Sequence, residues 1–525
     1  MKKYITPWVF LIVGQIAFAQ RAELRWSPES KFNKKSDELG FVGKVDDHFY
    51  TLRKEDKVMF LAKNQVRSMS QVWERPIIWN DLNRTNTSDK NLTFHSFRKF
   101  QHHFEFYFQD YNKGDDTQRL YAQRINYEGE PDGELREIGV RQKKRRSKDG
   151  SYRLAFAEDS LHSLLMINPG YDKYNDEKFH FKVLDEDQNI LKNFTITLPF
   201  KDKDFSVSGL KLLGDHTIYM LASIHRDKKE RDKGQPAYNY KILIMDVASA
   251  KPRMVDIPFR NKYVDQIDLV LDRGKVKCVG LYGDLKPNGK VDTGAKGAFH
   301  FSLEKGEAGK ISFREFSHKL ILEIAGKKNI RKGEGLGYRY SLKNTFTKED
   351  GGLVVLFEES YIRIVTSTDS RGNSTTTTHY HDNSVLYLDI DPAGEINRYV
   401  HVPKKQHTAN YGHRFGSFHA MYVDGNTHII YNDEKGNALI NMYDKTMKNY
   451  LKAVPVIVTI TASGKMDKKQ LTGSSGKQDF ALKPKLSDKI SSNEAFLYAD
   501  NMSKACCVVG ARKVKTTKIG ILSIQ

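Results

Sequence analysis

Cysteine is scarce: Cys278, Cys506 and Cys507 are the only three in 525 residues. That excludes a disulfide scaffold, so stability must come from an apolar core. Cys506 and Cys507 are adjacent, a spacing that strains a mutual bridge. They lie in the apolar stretch from Ala505 to Val509, which reads as small buried hydrophobes. Proline is also sparse, at 14 residues, which rules out a Pro-rich stalk or linker. No apolar run reaches the roughly 20 residues that a membrane-spanning helix needs. Helical periodicity is nearly absent. The usual catalytic signatures are missing too: there is no H-E-x-x-H, no G-x-S-x-G and no C-x-x-C. The glycines from Gly333 to Gly337 fail the dinucleotide pattern, and Gly473 to Lys477 falls short of a P-loop because position 471 is Leu. No cofactor and no catalytic residue is expected, and the balance is against an enzyme.

Aromatic residues are plentiful, with 26 Tyr and 29 Phe, which excludes a disordered chain. The first twenty residues combine Lys2 and Lys3, an apolar run from Trp8 to Val13, and Ala17-Phe18-Ala19 before Gln20. Charge, short apolar core and an A-x-A site predict a secretory signal cleaved after Ala19. No cysteine follows that site, which argues against a lipid anchor there. The expected location is the periplasm or the outer membrane, with full secretion as the alternative. The net charge of +20 would fall to +18 as the two lysines leave.

One pattern recurs along the chain: a strand, a tight polar turn, then a strongly apolar strand. It is centred near Asp47, His103, Asp159, Asp215, Gly274, Gly351, Gly425 and Asn493. The separations are 56, 56, 56, 59, 77, 74 and 68 residues, too regular for chance. A second mark accompanies it. Ile196-Thr197-Leu198-Pro199-Phe200 matches Val255-Asp256-Ile257-Pro258-Phe259, and Val400-His401-Val402-Pro403 echoes both. Proline is tolerated only at strand ends and sheet edges, so this mark predicts the outer strand of each unit. A further strand pair lies between hairpin and mark, joined by turns rich in Asp, Asn and Gly. Each unit is therefore four antiparallel strands.

Four short strands repeated about eight times resemble the β-propeller superfamily over nearly the whole mature length. The Trp-Asp and kelch signatures are absent, so the resemblance is one of architecture and implies no activity. A four-stranded unit cannot cover its own two apolar faces, but radial stacking covers both and ring closure leaves no bare end. The expected fold is all-β: one propeller spanning residues 20–525, with eight blades and seven as the alternative. Ala22-Glu23-Leu24-Arg25-Trp26 and the run from Thr516 to Ile524 are the expected partners that close the ring.

Function should sit where the repeat is interrupted. Three stretches do this: 227–240, 281–298 and 366–383. Their equivalent positions place them on one face, as hairpin insertions that form a partner-binding rim. The densest basic run includes Arg141, Lys143, Lys144, Arg145 and Arg146. In an exported protein its partner is an acidic glycan or an acidic envelope protein, with peripheral association at the outer membrane, and not nucleic acid. Lys228 and Lys229 extend that basic character into the first insertion. Seven of the 17 histidines fall between His379 and His428. His379 and His381 share a strand face, but no spacing dictates a metal site, and most are expected to be incidental surface residues. The expected function is a non-enzymatic binding or scaffold protein. The alternative is a propeller enzyme or binder acting on glycans, marked by buried carboxyls and a deep pocket at the channel mouth.

Overall fold

The computed structural model describes residues 22–525 apart from 33–35, 57, 79–91, 144–148, 171, 230–232, 234–235, 258, 260, 293, 305, 326–334, 338, 411, 438–444, 449, 451–452, 472–479 and 502–514. Residues 1–19, with the expected signal, and Cys506 and Cys507 lie outside the described residues.

Among the described residues the chain forms eight antiparallel sheets, each built on four strands in sequential order. First strands of successive sheets touch: Ser151–Phe156 meets Phe205–Leu213, which meets Lys262–Asp272, which meets Tyr340–Thr347. The sheets are thus blades around an axis, each with its first strand innermost. Blades 1 to 7 occupy residues 36–76, 93–142, 151–201, 205–256, 262–315, 340–409 and 419–470. Blade 8 is assembled from both ends of the chain. Its outer strand is Ala22–Trp26, which pairs in register with Lys515–Ile524 from Ala22 opposite Ile524 to Trp26 opposite Gly520. The molecule is an eight-bladed β-propeller closed by its termini.

The burial pattern explains why the second strand of each repeat is so apolar. It is flanked by two strands of its own blade and covered on both faces by neighbouring blades. Phe104 to Phe108 are all buried, as are Ser163 to Ile167 and Leu353 to Glu358. A strand covered on both faces reads as a continuous apolar run rather than an alternation. The outer strand Ile190–Lys201 instead alternates, burying Ile196 and Leu198 and exposing the residues between them. All eight polar turns identified by the repeat join a first to a second strand. At the turns of blades 5 and 7 the chain passes through two left-handed residues in a row, Arg273-Gly274 and Asp424-Gly425. That conformation matches the twist of a two-residue hairpin, and Gly adopts it without strain. Among the described residues, helix is limited to the segment His318–Ala325, two helical residues at 228–229 and a few single turns.

Closure is sealed inside as well as at the edge. Phe496 of blade 8 packs on Phe41 and Phe49 of blade 1, with ring centroids 5.2 and 5.7 Å apart. Lys483 of blade 8 donates to Glu38 of blade 1 at 2.8 Å and meets Asp500 at 2.6 Å. Deleting Ala22–Trp26 should therefore destabilise the ring without dismantling it. Leu24 is buried and Trp26 lies against Gly520; two such side chains contribute about 1.5–3 kcal/mol each. A lowered urea midpoint and a tendency to associate through the bared strand are expected. An unchanged midpoint would count against this closure.

Candidate functional site

Antiparallel order puts the turns between second and third strands on the same face as the connections between blades. All three interruptions of the repeat lie between second and third strands, so they share that face. The described start of the basic run, Arg141 and Lys143, shares it too, because strand Arg136–Gln142 ends on that face.

The structure changes the boundaries of the insertions. Residues 281–284 and 297–298 belong to strands Lys275–Asp284 and Gly297–Glu304, so the second insertion is only the segment between them. The third is not a loop. Strands Leu353–Thr368 and Ser374–Ile390 run on past the ring and turn only at Asp369 to Asn373. Threonines opposite one another, such as Thr366 and Thr376 at 3.1 Å, continue the ladder because β-branched residues suit a pleated surface. The result is a projecting arm with Ile362 and Ile364 exposed.

At the root of the arm, Gln406–Ala409 adds a third strand beside His379 to Asp382. Cross-strand pairing then brings Tyr361, His381 and His407 together. The Tyr361 and His381 rings stack at 4.4 Å, and His381 and His407 at 4.7 Å. His379 Nδ1 lies 2.9 Å from His407 Nε2, and the Arg339 guanidinium sits 3.9 Å over Tyr361. Burial, followed by the neighbouring imidazoles, holds His381 below its ordinary range, and burial then His379 does the same for His407. His379 and His381 are thus brought together as their spacing implied, with His407 as a partner that the sequence did not single out. The clue to it was a His flanked by polar residues just after the outer-strand mark at Pro403. Among the described residues no group of three or more His, Cys, Asp or Glu is arranged to hold a metal.

The other histidines of this stretch are not incidental surface residues. His428 is buried and His401 and His419 are half-buried, and desolvation lowers each to about 4. His401 meets Ser384 and Glu323 and His428 meets Thr459, partners that a count of histidines cannot reveal. His413 Nδ1 lies 2.7 Å from Asp382, whose other oxygen accepts from Ser360 at 2.8 Å. Burial opposes ionisation of Asp382, but Lys404 and His413 hold its carboxyl below the usual range. A side chain at position 416 would collide with Asp382, so Gly416 permits this approach. A carboxylate that orients an imidazole is a familiar part of acid–base machinery. Among the described residues, Asp382 is the hydrogen-bond partner of the His413 ring.

Of the basic run, Arg141 is a correction. It is 7% exposed and pairs with Asp149 and Gln118 beside the Tyr152 ring. Its charge is used to join blade 2 to blade 3, since a strand-end guanidinium between blades finds a carboxylate sooner than solvent. Lys143 lies 3.7 Å over Tyr111. Lys144, Arg145 and Arg146 lie outside the described residues. Lys228 and Lys229 are exposed at the start of the first insertion.

Two carboxyls are held protonated near neutral pH. Burial, with Asp202 as hydrogen-bond partner and neighbouring charge, pushes Glu177 up to about 8. Burial alone pushes Asp265 to about 7. They sit in blades 3 and 5 and do not form a pair. Between blades 4 and 5 the same face opens into a cleft of about 390 Å3, lined by Tyr238, Tyr240, Arg226, Lys241 and Lys262 among others.

No family model matches the chain, and no curated protein does. Solved structures similar to it include the Dos1 propeller, at 9% identity and a TM-score of 0.42, covering 95% of both chains. The β-propeller domain of the Trilobed protease from Pyrococcus furiosus matches at 11% identity and 0.37, covering 85% of this chain and 98% of that one. A post-proline cleaving enzyme from Rickettsia typhi matches at 9% identity and 0.39, covering 91% of this chain and 62% of that one. At these identities and scores the neighbours carry nothing about activity. The class is given by the sheets themselves: a β-propeller of eight blades.

Proposed function

We propose that this is an exported, non-enzymatic propeller that binds a macromolecular partner of the cell envelope. The observation that supports this most is the gathering of all three insertions and the basic connection on one face of a rigid ring. A preformed scaffold loses little free energy to ordering on binding. With the expected signal removed, a net charge of +18 steers an acidic partner towards that face.

A glycan-acting enzyme is the second reading, favoured by the protonated carboxyls. Glu177 is only 3% exposed, which denies it a substrate, and Asp265 has no second carboxyl paired with it for a two-acid mechanism.

The test is capture of the native partner from envelope extracts, by the full chain and by a trimmed variant. The variant replaces residues 228–236, 286–292 and 363–378 with short Gly-containing turns, leaving the blades whole. It should fold with an unchanged midpoint and lose the partner. Capture by the intact protein should also weaken with salt, as the screening length shrinks from about 10 Å at 0.1 M to about 3 Å at 1 M. Unchanged affinity and salt dependence in the trimmed variant would overturn the rim.

A further inference from the structure

We propose that the cleft between blades 4 and 5 is a binding site for an acidic carbohydrate, taking one or two uronate-type sugar rings. The proposal deepens the reading of this face as the binding face and rests on it.

The walls come from three segments. Strand Tyr238–Asp246 supplies the floor and one side, the connection around Ile257 and Phe259 the back, and the start of Lys262–Asp272 the other side. Tyr238 is 44% exposed, a high value for so large an apolar ring. It is held in place all the same: its ring meets His225 edge to face at 4.9 Å and lies 6.3 Å from Tyr240. A fixed, outward-facing aromatic ring offers a flat apolar platform at little entropic cost.

The cations are also fixed. Arg226 donates from Nη2 to Asn239 Oδ1 at 2.8 Å. Lys262 pairs with Asp284 at 2.9 Å and sits 4.4 Å over the Tyr282 ring. Lys241 pairs with Asp256. The lining carries Arg226, Lys241 and Lys262 against Asp256, and with Asp284 paired to Lys262 the cleft keeps an excess of one positive charge. Asp265, beside Tyr240, would subtract from it, but burial keeps that carboxyl about half protonated at neutral pH.

An aromatic platform alone would take neutral sugars or apolar groups. Cations alone would take any anion. Together they fit a ligand with a flat, largely apolar ring face and a carboxylate at its edge, which a guanidinium receives in two-point contact. The volume of about 390 Å3 lies at the small end of ligand pockets. It accommodates a terminal unit or a short stretch of a chain, whose remainder would run out over the basic rim.

The test is calorimetric titration of the full chain with digalacturonate, its neutral counterpart galactobiose, and inorganic sulfate. Digalacturonate should bind with a Kd of about 1 mM or tighter. Tyr238→Ala and Arg226→Gln should each weaken it at least tenfold while the urea midpoint stays at the wild-type value. Galactobiose and sulfate should give no measurable heat in the same range. Three results would each overturn the proposal: no binding of digalacturonate, sulfate binding as tightly as the sugar acid, or wild-type affinity in Tyr238→Ala. Failure here is separable from failure of the wider reading. The trimmed variant keeps Tyr238 and Tyr240, so loss of the envelope partner there with no digalacturonate binding by the intact chain would sink the sugar site alone.

Discussion

Lys404→Met should destabilise the protein by about 3–5 kcal/mol, far more than a lysine substitution normally does. Lys404 follows the outer strand of blade 6 and its side chain is fully buried, as is that of Glu358. Its ammonium donates to Glu358 Oε1 at 2.8 Å, to the Asp382 carbonyl at 2.8 Å and to Gln406 Oε1 at 3.1 Å. Glu358 also accepts from Ser417 at 2.8 Å and lies 3.4 Å from Lys343. Removing the lysine strands a carboxylate in a low-dielectric interior, with the partly exposed Lys343 and the more distant charge of Lys485 to compensate in part. The attraction in the pair does not itself add up to that loss, because burying two charges offsets most of it. For this reason the double variant Glu358→Met/Lys404→Met should recover at least half of the stability that the single one loses. The control is Lys310→Met. Its pair with Glu395 is as short, at 2.9 Å, but Lys310 is 85% exposed, and its removal should leave the urea midpoint where it was. Equal midpoints for Lys404→Met and Lys310→Met would contradict the account.

Stability should also peak near pH 6.5–7 and fall on both sides. On the acid side the cause is buried histidine. Burial lowers His300, His401, His419 and His428 to about 4, whereas an unfolded histidine titrates near 6.5. Between those values the unfolded chain binds up to four protons that the folded chain refuses. Glu177 at about 8 and Asp265 at about 7 act the other way: folded, they keep two protons that unfolded carboxyls release above about 4.5. The difference is two protons in favour of the unfolded state. Stability should therefore drop by roughly 2.7 kcal/mol per pH unit between about 6.5 and 4.5. His381 and His407, also lowered, add to the same limb. Above pH 6.5 the histidine difference vanishes and the raised carboxyls remain, with burial raising Asp268 and Asp488 in the same sense, so stability declines as pH rises until Glu177 and Asp265 have ionised near 8. A total change on the order of 5 kcal/mol is comparable with the whole stability of many domains. Denaturant titrations at pH 5, 6.5 and 8 would trace the curve. His428→Asn should flatten the acid limb and Glu177→Gln the basic one. A stability that rose steadily from pH 5 to 8 would refute this assignment.

The sequence carried the architecture well. Hairpin turns near Asp47, His103, Asp159, Asp215, Gly274, Gly351, Gly425 and Asn493 were all legible, as was closure by the Ala22 segment. Turns and strand edges are local features: an Asp-Gly pair with positive φ, or a proline after the outer strand, needs no distant partner to be recognised. The second strands were legible for a related reason. Burial on both faces demands an unbroken apolar run, which some third strands, such as Ala453–Ile460, share.

The chemistry of the face was much less legible, because it depends on which blades meet. Arg141 looks in sequence like part of an exposed basic run, yet Gln118 of its own blade, Asp149 of the connection and Tyr152 of the next blade enclose it. Residues 366–383 look like a polar loop, since threonine and serine are common there; cross-strand pairing turns them into an arm. His379 and His381 could be placed on one strand face, but only the added strand Gln406–Ala409 brings His407 against them. The cleft joins Tyr238 of blade 4 to Lys262 of blade 5, and Lys483 meets Glu38 across 445 residues of sequence. Strand, turn and repeat were determined by the sequence alone, because period-two burial and tight-turn geometry act over a few residues. The charged and aromatic partners were decided only by the closed ring, because blade packing sets contacts between side chains whose separation in the chain carries no signal of their meeting.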